Sequence, residues 1–277
     1  MKKLIFLASA VLLIIHAYAQ QSFEIDKSGN GTPVLLLPGF TCPGEIWDET
    51  VMSLGSNFQY HQVSYAGFNG IEPINMPWYE TIKGDLKTYI TEQNLGKVII
   101  IGHSMGGMLA MDIAAESPQL VEKLILVDAL PCLRQLMMPH MKAEDITFDN
   151  PYNQRMLTMS DEDFHQNAKY MASSMTNQPE KVEQLIAWIE EADRKTYAYG
   201  YTELLKIDLR DDISSIKAET LIIAADFPSK EMVSKGLNDQ FEKLSSKEIR
   251  IADRSKHFIM FDQKDWFTTQ VKEFLQQ

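Results

Sequence analysis

The chain has 277 residues, 45% of them hydrophobic, 23% charged and 10% aromatic. These are the fractions of a globular protein rather than a disordered, collagenous or coiled-coil one. Its 26 Lys and Arg face 38 Asp and Glu, a formal net charge of −12. With no basic run to hold a polyanion, nucleic acid is excluded as a partner, and two cysteines make neither a disulfide scaffold nor a cysteine-based zinc cluster.

The chain opens with Met1-Lys2-Lys3, runs apolar from Leu4 to Ala17 and ends that run in Ala17-Tyr18-Ala19 before Gln20. A basic start, an apolar middle and a small-x-small site predict a cleavable signal peptide over 1–19. The apolar run is shorter than the roughly 20 residues of a spanning helix, and no later stretch is long enough. The expectation is a secreted or periplasmic protein with no stable membrane anchor. Cleavage removes Lys2 and Lys3 and no acids, taking the charge from −12 to −14.

The elements follow in chain order. Ser22–Asp26 reads as an opening strand, and Thr32–Leu37 as a buried one ended by Pro38-Gly39. Ile46–Leu54 has helix spacing, Tyr60–Tyr65 is a short strand, and Thr81–Gln93 is an amphipathic helix with Ile82, Leu86 and Ile90 at four-residue steps. Lys97–Ile101 is an all-apolar strand core before a glycine-rich turn, Met108–Glu116 a helix, and Leu124–Val127 a third buried strand. The pattern then changes: residues 131–207 are rich in Met, aromatics and charges, with helices predicted at Asp161–Met171 and Lys181–Arg194. Alternation resumes with Thr220–Ala225, Val233–Leu244, Lys247–Ile251 and Trp266–Leu275.

Continuous Val/Ile/Leu runs separated by amphipathic helices are what a mostly parallel sheet with helices on both faces requires. The predicted fold class is α/β. Its core domain spans 20–130 and 208–277, and a helical insertion over 131–207 is too long for an ordinary loop.

The chemistry centres on Gly102-His103-Ser104-Met105-Gly106-Gly107. A Gly-x-Ser-x-Gly string alone is weak, but here it follows a strand and precedes a helix, the setting it needs. A serine on such a tight turn requires close neighbours without side chains. The following helix aims its N-terminal N–H groups at a charge forming beside Ser104. The competing reading is an ordinary glycine-rich turn with an inert serine.

A serine alcohol needs a nearby base. Of six histidines, His16 lies in the predicted leader, His103 packs beside the turn, His61 sits in a strand, and His140 and His165 fall in the insertion. His257 follows the last strand. Loops at the carboxyl edge of a parallel sheet emerge together, which makes His257 the candidate base.

These residues resemble the α/β-hydrolase family over essentially all of 22–277. The resemblance rests on Leu35-Leu36-Leu37-Pro38-Gly39-Phe40, the Ser104 string, Leu126-Val127-Asp128, and His257-Phe258 followed by Asp262 and Trp266-Phe267. It implies a serine hydrolase, an oxyanion hole made by the backbone N–H groups of Phe40 and Met105, and a lid at 131–207. Relatives often carry His-Gly-Phe where this chain has Pro38-Gly39-Phe40. That departure removes a bracing side chain but not the main-chain donors.

The acid of the triad has two candidates. The family's chain order of Ser, acid, His points to Asp226 after the Leu221–Ala225 run, but the spacing places it one or two residues early. Asp128, after Leu124–Val127, stands where some members carry the acid, and an aspartate there also serves purely structural roles.

The expected mechanism is acyl transfer. His257 takes the Ser104 proton as Ser104 attacks a carbonyl, the acid orients the imidazole, and water releases the acyl group. No metal or organic cofactor is required. Serine rather than aspartate at position 104 argues against epoxide hydrolases and haloalkane dehalogenases. The insertion holds seven of the fifteen methionines, which either pack the lid or adapt it to an apolar or aromatic small-molecule acyl substrate. Cys42 and Cys132 both follow strand ends, where a disulfide is open in an exported protein. Three functions stay open: a carboxylic ester hydrolase, the same triad turned to perhydrolase or haloperoxidase-like chemistry, C–C hydrolysis or acyl transfer, and a non-catalytic binding protein.

Overall fold

The computed structural model describes residues 21–277; the expected leader at 1–19 lies outside them. Seven strands form one sheet in the order β1-β3-β2-β4-β5-β6-β7. They are β1 (Phe23–Gly29), β2 (Thr32–Leu37), β3 (Phe58–Tyr65), β4 (Val98–His103), β5 (Val121–Val127), β6 (Glu219–Ala225) and β7 (Lys247–Ala252). Only β1 runs antiparallel to its neighbour; the other pairs are parallel. The apolar runs occupy the middle of this sheet because a strand covered on both faces has no polar side. β4 is buried at every position.

The helices between β1 and β5 are α1 (Asp48–Leu54), α2 (Trp78–Glu92) and α3 (Met105–Glu116). Between β5 and β6 the chain makes α4 (Leu133–Met137), α5 (Pro151–Thr158), α6 (Asp161–Met175), α7 (Pro179–Glu190) and α8 (Arg194–Lys206), the helical lid insertion. α9 (Lys230–Gln240), α10 (Ile259–Asp262) and α11 (Lys264–Leu275) complete the chain. α3 packs on β4 and β5, and α9 on β6, so helices cover the sheet.

Several predicted helices differ in their bounds; Val233–Leu244, for one, is α9 and ends at Gln240. Ile46–Leu54 divides into a 3₁₀ turn at Gly44–Trp47 followed by α1. Lys181–Arg194 is two helices: α7 ends at Glu190, and the Asp193 side chain accepts the Thr196 N–H to start α8. A side-chain cap satisfies an orphan N–H and opens a new helix, which apolar periodicity does not reveal.

The register aligns the carboxyl ends of the strands. Leu37 pairs with Gly102, His103 with Val127, Val127 with Ile223, and Ala225 with Ala252. The residues that follow these ends, Phe40, Ser104, Asp128, Asp226 and His257, therefore sit on neighbouring loops along one edge. That is where an open parallel sheet places a site. Among the described residues no helix is long and apolar enough to cross a membrane. Cys42 and Cys132 are both free and buried, so the disulfide left open by the sequence is not formed.

Candidate active site

β4 ends at His103 and α3 starts at Met105, leaving Ser104 alone to make the turn, at φ 53° and ψ −119°. A non-glycine residue held there costs of order 1–3 kcal/mol, and the surroundings enforce it. The Ser104 N–H donates to the Val127 carbonyl at 2.9 Å, and the Ser104 carbonyl accepts the N–H of Gly107 at 2.9 Å. A Cβ on Gly106 would collide with the carbonyl oxygens of Leu37 and Pro38. One on Gly39 would come within 2.8 Å of His103 Nδ1 and 3.4 Å of Ser104 Cβ. The glycines thus let the β2 loop lie directly against the Ser104 turn, the elbow between β4 and α3.

His257 Nδ1 lies 2.7 Å from Asp128 Oδ2. A carboxylate oxygen only accepts, so Nδ1 carries the hydrogen and, in the neutral ring, Nε2 is the acceptor. Asp128 is itself fixed by β6. Its Oδ1 accepts the Ala225 N–H at 2.9 Å, and its own N–H donates to the Ile223 carbonyl at 2.7 Å. The residue adopts φ 45°, which turns the chain off the end of β5.

Asp226 does not meet His257. Its two carboxylate oxygens accept the N–H groups of Arg254 at 2.8 Å and Ser255 at 3.1 Å. Those bonds support the loop that carries His257, at a residue, Arg254, with φ 56°. Asp226 follows β6 directly and reaches only the base of that loop. Asp128, one strand further in, faces the imidazole.

A second carboxylate braces the same loop from the far side. Asp262 Oδ2 accepts the Lys256 N–H at 2.7 Å, while Oδ1 accepts the Thr176 hydroxyl at 2.6 Å and the Asn177 N–H at 2.8 Å. Lys256 Nζ donates to the carbonyls of Ser173 and Thr176. The end of lid helix α6 is therefore fastened to the His257 loop.

Ser104, Asp128 and His257 line one cavity of about 340 Å³, together with Phe40 and Met105. Met105 is the first residue of α3, and its N–H has no intrahelical acceptor. The remaining wall is apolar: Leu130, Leu133, Leu136 and Leu204 from the lid side, and Phe227, Met232, Val233 and Leu237 from the β6–α9 side. Among the described residues, only Tyr201 and Gln240 bring polar groups beyond the three motif side chains, and no Lys or Arg lines it. Burial pushes the Tyr201 phenol up to about 12, so it stays neutral at physiological pH. A larger cavity of about 500 Å³, lined by Asp208, Arg210, Asp211, Asp239, Gln240, Glu242 and Lys243, contains none of the motif residues.

Sequence reasoning missed the α9 wall. Periodicity places a helix at Val233–Leu244, but which face meets the cavity depends on how α9 docks. His140 and His165 stand apart from the cavity lining, and His61 is buried in β3 against the Tyr89 hydroxyl. Among the described residues no group of three His, Cys, Asp or Glu side chains is placed to hold a metal ion.

Residues 34–269 match the alpha/beta hydrolase family. A pimeloyl-[acyl-carrier protein] methyl ester esterase of Vibrio campbellii is 25% identical over 256 residues, 89% of this chain and 95% of that one. The enzyme of the same name from Nitrosomonas europaea is 29% identical over 111 residues, 40% of this chain and 42% of its own, so there the chain spans less than half of the relative's length. Among solved structures, an esterase from Exiguobacterium antarcticum superposes with a TM-score of 0.77 at 19% identity, covering 92% of this chain and 96% of that one. A serine at a strained strand–helix turn, a sheet of this order and a match across most of its length show that the chain belongs to the alpha/beta hydrolase family.

Proposed function

We propose that this protein hydrolyses carboxylic esters of apolar acids through a Ser104–His257–Asp128 triad. The observation that carries the reading is the 2.7 Å contact of His257 Nδ1 with Asp128 Oδ2, in a cavity that Ser104 also lines. With Nδ1–H held by Asp128, Nε2 is the free base that takes the Ser104 proton as Oγ attacks the ester carbonyl. Asp128 stabilises the imidazolium that forms. The N–H groups of Phe40 and Met105 receive the oxyanion, each worth about 3 kcal/mol of transition-state stabilisation. His257 then protonates the departing alcohol, and water, activated by the same imidazole, releases the acid from Ser104.

The substrate class follows from the wall. A cavity with no Lys or Arg and a lining of Leu, Met, Val and Phe offers nothing to pair with a charged acyl arm, and burying an unpaired charge there is strongly unfavourable. The arm is therefore uncharged and aliphatic or aromatic. Relatives named as esterases at low identity support ester chemistry without naming this chain's substrate. The basic, apolar and small-residue order of residues 1–19 supports export, which the intact mass of the protein recovered outside the cytoplasm tests.

The enzymatic test is hydrolysis of a series of p-nitrophenyl esters of increasing acyl length. The reading expects turnover of neutral acyl esters, little of an ester with an ω-carboxylate, and none with Ser104→Ala. Equal turnover by Ser104→Ala contradicts it.

A further inference from the structure

His103 has no part in the roles assigned above and does not line the cavity. It is nonetheless fully buried and touches the base at two places. Its Nε2 lies 3.0 Å from the carbonyl oxygen of His257, and the two rings lie 4.5 Å apart between centroids. A carbonyl only accepts, so Nε2 carries the hydrogen and donates it. Nδ1 is then an acceptor, buried and without a partner among the described residues. Burial, reinforced by the neighbouring His257, holds the His103 pKa well below the usual histidine range, so the ring stays neutral.

An unpartnered buried acceptor is destabilising. An apolar side chain of similar size would fill the slot without that cost, so an imidazole here calls for a compensating role. The other braces of this loop end short of the base: Asp226 holds the N–H groups of Arg254 and Ser255, and Asp262 that of Lys256. The peptide unit joining His257 to Phe258 has two further contacts. Its N–H donates to the Met175 carbonyl of the lid at 3.1 Å, and its C=O accepts from His103.

We propose that His103 is a positioning residue for the base. Its Nε2–H ties the backbone of His257 to the elbow, one peptide away from Ser104, so that this bond couples the position of the base to that of the nucleophile. The lid bond at Met175 holds the opposite end of the same peptide plane. This inference rests on the Ser104 and His257 roles proposed above.

The test compares His103→Gln, His103→Asn and His103→Phe with the unaltered protein. Active sites are counted by fluorophosphonate labelling, and kcat is expressed per labelled site. Gln carries an amide N–H about as far as Nε2; Asn is polar but too short; Phe keeps the ring and loses the donor. The expected result is a kcat for Gln within about threefold of the unaltered protein. Asn and Phe should fall about 10- to 100-fold, the scale of an ångström-sized misplacement of reacting groups, with KM changed by less than about twofold. A thermal melt confirms that each variant is folded, and the Asn–Gln pair decides the matter if Phe does not fold. Asn and Phe retaining full kcat per site, or Gln falling as far as Asn, overturns the inference alone. An unaltered protein that takes no label overturns the underlying Ser104 reading, and the inference with it.

Discussion

The imidazole of His257 donates its Nδ1–H to Asp128 Oδ2 over 2.7 Å, joining residues 129 positions apart. Asp226, whose carboxylate is two bonds deep in the backbone of the same loop, has a different task. Replacing each by asparagine separates the two. Asp128→Asn preserves shape but no longer enforces the tautomer, and kcat should fall by about 10⁴-fold. Asp226→Asn keeps an acceptor for the loop and should lower kcat by less than about tenfold, with a lower melting temperature. Steady-state kinetics on one good ester checks both; the reverse ranking contradicts the assignment.

Gly236 lies in α9 on the cavity wall, and a Cβ built on it meets nothing within 4 Å. A leucine there adds helix propensity, about 1 kcal/mol relative to glycine, and projects a branched side chain from the wall. Gly236→Leu should retain or raise the melting temperature. It should raise KM for the longest acyl esters by about tenfold, the scale of one misplaced methylene, while acetyl esters are unaffected. An acyl-length profile unchanged from the unaltered protein places the acyl arm elsewhere.

Burial, with a smaller contribution from Lys27, pushes the His61 pKa down to about 4. The folded state keeps this ring neutral while the unfolded chain, with an ordinary histidine near 6.5, binds a proton. Stability from this group is therefore present above pH 6.5 and lost as pH falls towards 4, roughly 3 kcal/mol in all. Asp112 acts oppositely: burial raises it to about 6 despite Lys83, so the folded state takes up its proton first as pH falls. The difference between variants isolates His61. Thermal melts at pH 7 and pH 4.5 should show His61→Gln gaining on the unaltered protein at the lower pH. A gap independent of pH contradicts the buried neutral imidazole.

Much of this fold is legible in the sequence because its signals are local. Val98–Ile101 and Leu124–Val127 are short and apolar without alternation, as a strand covered on both faces requires. The elbow is legible because Gly102, Ser104 and Gly106 answer a steric demand within one turn. His257 is legible because parallel strands bring their carboxyl ends together. The choice between Asp128 and Asp226 is not local, since both follow neighbouring strands and only the path of the Arg254–His257 loop decides which one meets the imidazole. The lid is less legible for another reason: α5 and α8 start at the side-chain caps Asn150 and Asp193, whereas apolar spacing alone runs past such boundaries. His103 is hidden most completely, because nothing in a Gly-His-Ser string shows that its ring reaches the carbonyl of a residue 154 positions away.

Covalent trapping reads out whether Ser104 is a nucleophile activated by His257. The purified protein is treated with a fluorophosphonate, digested, and the modified peptide identified by mass spectrometry. The expected result is a single adduct on Ser104, absent in Ser104→Ala and slowed by at least about 10³-fold in His257→Gln, the scale on which removing a triad member acts. An unlabelled Ser104, or labelling at the same rate without His257, contradicts it.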